Sequence, residues 1–381
     1  MQGYRSSWLT AEHDLYRDNV RRFVETEFVP ARERWIEQGH SDPSAWRQAG
    51  EAGLLCPDVP TEYGGGGADF GFDAIVYEEL GRACVSGFGC AIQSIVAHYF
   101  LAYATEEQKQ KYLPKMASGE IITSIAMTEP GTGSDLQSVK TRAVRDGDHY
   151  VVNGSKTFIT NGYNANLIVL VCKTNPAERA KGISLLLVET EGLAGFRRGK
   201  PLKKIGMKAQ DTSELFFDDC RVPVANVMGG VEGQGFYQLM SQLGRERLMI
   251  GLQSVTAMES AVHHTLDYVR QREAFGQKLY DFQNTRFTLV ECATEAHIAR
   301  VFVDDCITRL LEGKLDSATA SMAKYWCSEK AQEAIHRCLQ LHGGYGYIMD
   351  YPIAHYFADN RVSMIYGGSN EIMKELISRS L

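Results

Sequence analysis

Four stretches of this 381-residue chain carry residues able to bind or transform a small molecule. The densest is "AMTEPGTGSD" at 126–135, a predicted strand end running into a proline–glycine loop with hydroxyls and acids. Gly131 and Gly133 let backbone approach a ligand closely, and Thr128 and Ser134 offer side-chain hydrogen bonds, which suits a phosphate or a ring edge. An ordinary turn would use the same residues. The G-x-G-x-x-G spacing and following helix of a dinucleotide fingerprint are absent. In "GSKTFITNG" at 154–162, period two puts Phe158 and Thr160 on one strand face, an aromatic plate beside a hydroxyl. From pattern alone a half-buried hairpin strand is the simpler account. "QLHGGYGY" at 340–347 and "IYGGSNEI" at 365–372 are glycine-rich turns after helical segments, which helix C-caps also explain.

Proton chemistry needs a carboxylate. In "GFYQLMSQLGRERLMIGLQ", Phe236, Leu239, Leu243, Glu246 and Ile250 step by 3, 4, 3 and 4, so one acid occupies an otherwise apolar helical stripe. An ion pair, or exposure near the helix start, is the alternative that periodicity leaves open.

The elements that must position these residues fall into three blocks. Residues 1–121 read as helices, with Leu15, Val20, Phe23, Val24 and Phe28 at helical spacing, Thr105 as an N-cap, and a loop where "VPTEYGGGG" interrupts. Residues 122–230 read as short β-branched runs punctuated by Asp-Gly at 146 and Asn-Gly at 153 and 161, a hairpin meander closing towards an antiparallel barrel. Residues 231–381 are helical again, with runs at 234–271, 281–313 and 316–341 and a last helix from Asn370. The predicted class is α+β multidomain, with helical, β-barrel-like and four-helix-bundle-type domains in that order.

Composition narrows the function. A formal net charge of -7 with both signs scattered gives no basic stripe for nucleic acid. Nine cysteines without a CxxC pair argue against zinc ribbons and a disulfide framework. No apolar run is long enough to span a membrane, so the expectation is a cytoplasmic protein with a small-molecule ligand and no metal.

Together these stretches resemble one family over essentially the whole chain, the acyl-CoA dehydrogenases: "AMTEPGTGSD", with Thr132 where a small residue is usual, then "QREAFGQKLYDFQ", "QLHGGYGY" and "IYGGSNEI", in family order. The resemblance implies FAD as cofactor and an acyl-CoA thioester as substrate. It implies flavin contacts at Met127, Thr128, Gly133 and Ser134, the last also reaching substrate, with Phe158 replacing the usual tryptophan beside the ring and Thr160 near flavin N5. Arg272, Phe275, Leu279 and Gln283 would reach the FAD of a neighbouring subunit. Gln340, Gly343 and Gly344 would follow its adenosine half, and Ser369 and Glu371 would lie at its pyrophosphate and adenine end. Sharing FAD implies at least a dimer, and the family is typically tetrameric.

Many members carry the catalytic glutamate directly after the tyrosine of the last motif, where this chain has Gly367. The long-chain and isovaleryl branches place it on the helix similar to "RERL", which implies Glu246 as base. Arg247, Tyr366, Gly367 and Gly368 would then adjoin the substrate, with the Gly367 N–H at the thioester oxygen. "MKAQDTSELFFDD" and "DSATASMAKYW" resemble the long-chain branch. The implied reaction is α,β-dehydrogenation to the trans-2-enoyl-CoA in fatty acid β-oxidation, with electrons passed to an electron-transfer flavoprotein. An acyl-CoA oxidase or flavin monooxygenase on the same scaffold, or a silent acyl-CoA or flavin binder, are the rivals.

Overall fold

The computed structural model describes residues 4–381. The first helical block holds α1 (Ala11–Phe23), α2 (Arg32–Gln38), α3 (Pro43–Glu51), α4 (Phe70–Arg82), α5 (Cys90–Tyr103) and α6 (Glu106–Ala117). Thr10 and Thr105 both close capping boxes, satisfying backbone donors that the first helical turn leaves free. Val20, Val24 and Phe28 are fully buried, whereas Leu15 is 69% exposed. Five residues at about 100° each put Leu15 roughly 140° away from Val20, outside the buried stripe. Charge joins this block to the last one. Arg17 Nη1 donates to Glu78 Oε2 at 2.6 Å, and Arg300 Nη1 reaches Glu78 Oε1 at 2.6 Å. Burial alone would raise the Glu78 carboxyl, but Arg300, Arg82 and Arg17 hold it down to about 2.

The β block is a seven-stranded sheet of β1 (Thr123–Ala126), β2 (Arg142–Asp146), β3 (His149–Thr160), β4 (Leu167–Lys173), β5 (Ile183–Glu189), β6 (Phe196–Arg198) and β7 (Thr212–Pro223). The spatial order is β1-β4-β2-β3-β7-β6, with β5 on β4. The hairpin pairings are antiparallel as expected, but β1 pairs parallel with β4, and one parallel pairing, Arg142 with Lys173, joins β2 to β4. Asp146-Gly147 makes the predicted turn between β2 and β3. Asn153-Gly154 does not turn the chain. It lies inside β3 at a register shift against β7, where Gly154 backs onto Thr141 without room for a Cβ. A second shift between Lys156 and Ile159 breaks the period-two pattern assumed for Phe158 and Thr160.

The last block holds α7 (Gly235–Gln271), α8 (Gln283–Leu311), α9 (Ser317–His342) and α11 (Asn370–Ser378), close to the predicted runs, plus α10 (Pro352–Asn360), which was not foreseen. No helix among the described residues is long and apolar enough to cross a membrane. All nine cysteines are buried and free.

Gln93 of α5 joins the first block to the sheet. Its Nε2 donates to the carbonyls of Met116 (2.9 Å) and Ile121 (2.6 Å), and its Oε1 accepts from the Thr123 N–H and hydroxyl, both at 2.8 Å. Gln93→Leu leaves those buried partners unsatisfied, so a loss of about 2–3 kcal/mol is expected in chemical denaturation. An unchanged midpoint would contradict this seam.

Candidate active site

The long helix α7 runs between α5 and the C-terminal turn, and it carries Glu246 inward, 9% exposed. Tyr99 of α5, fully buried, donates its hydroxyl to Glu246 Oε1 at 2.9 Å. Among the described residues the other carboxylate oxygen has no hydrogen-bond partner. Burial pushes the carboxyl up to about 7, against the smaller opposing pull of the Tyr99 hydrogen bond and the Arg247 charge. Of the stripe, Leu239, Glu246 and Ile250 are buried and Phe236 and Leu243 half-buried, and Glu246 has no direct ion-pair partner among the described residues.

One turn further along α7, Ile250 Cδ1 stands where a side chain at 367 would begin. Gly367 has φ +66° and Gly368 φ +91°, left-handed backbone that strongly favours glycine. Lys324 of α9 holds this turn, its Nζ donating to the Gly368 carbonyl and to Asn370 Oδ1, both at 2.8 Å. Burial pulls the Lys324 ammonium down to about 8, helped by the Arg247 charge. Arg247 is buried towards α9, with Nη1 donating to Ser317 at 3.2 Å and Ser321 at 3.1 Å, while its buried Nε keeps no partner. Tyr366 is partly buried, and burial pushes its phenol to about 12.

The other acids are accounted for. Glu129 is locked beneath its loop, accepting from the Lys140 and Thr141 N–H groups at 2.6 and 2.9 Å and from Lys156 Nζ at 2.9 Å. Lys156 also donates to the Met127 carbonyl at 2.8 Å, and Thr157 N–H to the Thr128 carbonyl at 2.9 Å, so the 126–135 loop and β3 form one unit. Glu371 is solvent-exposed on α11, and its pKa is lowered by backbone and Ser369 hydrogen bonds.

Around that unit lies open surface. Phe158, at φ +59°, is 67% exposed beside the half-buried Thr160, and Cβ atoms at Gly131 or Gly133 would meet nothing within 4 Å. Ser134 is exposed, and Ser369 stands half-buried at the N-cap position of α11 without a side-chain capping bond. A separate face presents Arg272 over the Tyr345 ring at 5.5 Å, Phe275 97% exposed, Leu279 half-buried with its N–H on the Arg272 carbonyl, and Gln283, Gln340, Gly343 and Gly344 exposed. The fold thus gathers Glu246, Arg247 and the 366–368 turn, gathers 127–134 with 158–160, and leaves the 272–283 and 340–344 residues facing outward.

Sequence models of three acyl-CoA dehydrogenase domains match this chain: the N-terminal domain over 10–120, the middle domain over 124–220 and the C-terminal domain over 233–381. The chain belongs to the acyl-CoA dehydrogenase family. It is 46% identical over 375 residues to the mitochondrial long-chain specific acyl-CoA dehydrogenase of Rattus norvegicus, covering 98% of this chain and 87% of that one. An acyl-CoA dehydrogenase crystal structure from Geobacillus kaustophilus shares 47% identity with a TM-score of 0.96, each chain covered to 99%. A Mycobacterium smegmatis glutaryl-CoA dehydrogenase solved in complex with FADH2 aligns with a TM-score of 0.91 at 25% identity, covering 98% of this chain and 95% of that one.

Three residues of the candidate site in this acyl-CoA dehydrogenase carry no signal that the sequence reading used. Tyr99 sits in a mostly apolar helix where a buried aromatic needs no special reason. Ile250 was read only as core. Lys324 was findable, because Ala320, Lys324, Cys327 and Ala331 step by 4, 3 and 4, the same pattern that singled out Glu246.

The contact between Ile250 and the 367 position makes a coupled prediction. Gly367→Ala should cost about 1–3 kcal/mol from backbone strain and the Ile250 clash. Ile250→Val removes the offending Cδ1, so the double variant should lose less than the sum of the two single changes in thermal unfolding. Strict additivity would mean that the two positions do not meet.

Proposed function

We propose that this enzyme is an FAD-dependent α,β-dehydrogenase of long- or branched-chain acyl-CoA thioesters that uses Glu246 as the base. The observation that carries the reading is a buried carboxyl, raised to about 7, one helical turn from the residue packed against the Gly367 turn. Loop 126–135 and β3 fit a flavin, since they pair an exposed aromatic with hydroxyls and with glycines facing open space. FAD, when bound, supplies the acceptor for the β-hydrogen as hydride.

Glu246 takes the α-proton. Deprotonated near neutral pH in an apolar site, the carboxylate becomes a neutral acid on accepting it, which relieves its burial cost. The α-C–H electron pair moves towards the thioester carbonyl, whose oxygen accepts a hydrogen bond from the Gly367 N–H. Lys324 keeps that turn in place by binding the next carbonyl, and Arg247, held by Ser317 and Ser321, adjoins the base without pairing with it. Long chains are favoured by the likeness to the long-chain relatives. Electrons then pass to an electron-transfer flavoprotein, the acceptor implied by the family resemblance.

Assembly follows from the outward face. Phe287, Val290, Ile298 and Val301 are exposed at helical spacing on α8, which begins just after Phe282, 6.4 Å from Phe275, as expected for a homotetramer in which one subunit completes the FAD site of the next.

Glu246→Gln should retain FAD and bind lauroyl-CoA yet reduce its flavin about a hundredfold or more slowly in anaerobic stopped flow. In the parent the rate should climb as pH rises through about 7, because only the deprotonated carboxylate accepts. The raised pKa also costs folded-state stability above pH 7, a penalty absent below the ordinary carboxyl range, so Glu246→Gln should gain thermal stability at pH 8 and less at pH 5. Parent-rate reduction by this variant would reject Glu246 as base. For assembly, Arg272→Ala should lose FAD and shrink the particle in size-exclusion chromatography with light scattering, since a charged contact across the interface goes. Full flavin occupancy at the parent mass would reject the shared site.

A further inference from the structure

Among the described residues the Tyr99 hydroxyl makes one hydrogen bond, to Glu246 Oε1, and its ring is wholly buried, 6.2 Å edge-on from Tyr103. The hydroxyl comes from α5 and the carboxylate from α7, 147 positions apart in the chain, so only the helix crossing brings them together. A glutamate side chain has three rotatable bonds, and an apolar pocket supplies nothing directional to choose among its rotamers. A single donor on one oxygen does choose. We infer that Tyr99 is a positioning residue for proton transfer, its hydroxyl anchoring Glu246 Oε1 and leaving Oε2 as the atom that takes the α-proton. The inference rests on Glu246 being the base.

Tyr99 itself does not exchange a proton in this step. Burial, followed by the neighbouring carboxylate, pushes its phenol well above the ordinary range, so it remains a donor throughout. The balance is simple: the α-C–H bond breaks, its proton forms an O–H bond at Oε2, and its electron pair stays with the acyl group. The hydrogen bond favours the ionised carboxylate, so it also sets the pH at which the base becomes available. Other groups acting on Glu246 are few. Arg247 lies on its own helix, Tyr103 stands behind Tyr99 on α5, and the Gly367–Gly368 turn brings no side chain. Lys324 of α9 acts on Arg247 and holds the turn.

The test is the pH dependence of anaerobic flavin reduction by lauroyl-CoA in the holoenzyme, from pH 5.5 to 9. Tyr99→Phe keeps the ring and its packing and removes only the donor. Its midpoint should rise by about one pH unit, the scale of one hydrogen bond to a charged group, with roughly tenfold slower reduction below the midpoint. Incorporating 3-fluorotyrosine at 99 makes the hydroxyl a stronger donor at nearly constant size, and should move the midpoint down. A purely packing role predicts the parent midpoint in both proteins, and that result overturns the inference. Should Tyr99→Phe fail to hold FAD, the fluorotyrosine protein decides alone, by a downward shift or by none. Failure of the base assignment is separable: Glu246→Gln reducing at the parent rate rejects the base, whereas a dead Glu246→Gln beside an unshifted Tyr99→Phe rejects only the positioning role.

Discussion

Removing one carboxylate from water at the α5–α7 crossing constrains the rest of the site. Glu246 is lifted by roughly the amount that moves a carboxyl from acid range to neutrality, and that happens only because α7 is long enough to be covered on several sides. What opposes the shift is first a hydroxyl from α5 and then the charge of Arg247, which does not hydrogen-bond to the carboxylate. Arg245 and Arg247 flank Glu246 in sequence, yet the helix turns both away. Arg245 is consumed by Asp58 and Asp73 at 2.7 and 2.8 Å, and Arg247 by two serines of α9. Had either guanidinium paired with Glu246, its pKa would fall and a base working near neutrality would be lost.

The glycine turn at 367–368 answers to the same helix. Left-handed backbone at both positions, Ile250 against the first and Met373 against the second leave little freedom for a side chain there, and Lys324 holds the second carbonyl. A carboxylate at 367 and the present Ile250 compete for one space, so a base on α7 and a bare turn are two sides of a single packing solution. The buried Lys324 is tolerated because two oxygens of the turn receive it, the compensation a buried ammonium requires.

The loop at 126–135 is built by the same logic with opposite charge. Glu129 gives up any role as a base by accepting from two backbone N–H groups and Lys156, and Lys156 in turn ties the loop to β3. The pair and the Thr157 N–H bond to the Thr128 carbonyl join the loop to the strand that carries Phe158. The buried lysine makes that junction stiff rather than loop-like.

Read by itself, the sequence determined the order of helical, β and helical blocks, because apolar periodicity changes from 3.6 to 2 and back and is a local property. It also determined that a carboxylate falls at stripe spacing on α7, leaving open whether it is buried there, and that none can sit at 367. Tertiary structure alone decided what that carboxylate meets. Tyr99 is 147 positions away in a helix whose residues are nearly all apolar, and no local pattern marks which core aromatic will find a partner. The same holds for β3, where Asn153-Gly154 has turn chemistry yet runs straight through as a bulge, since the pairing with β7 outweighs a local preference for turning. Phe158 owes its exposure to the next register shift in that strand, and α10 was missed because at nine residues, opened by Pro352, its buried face is too short to stand out as a period. Spacing along a chain reports which side of an element a residue occupies, whereas the partner it meets there depends on how the elements cross.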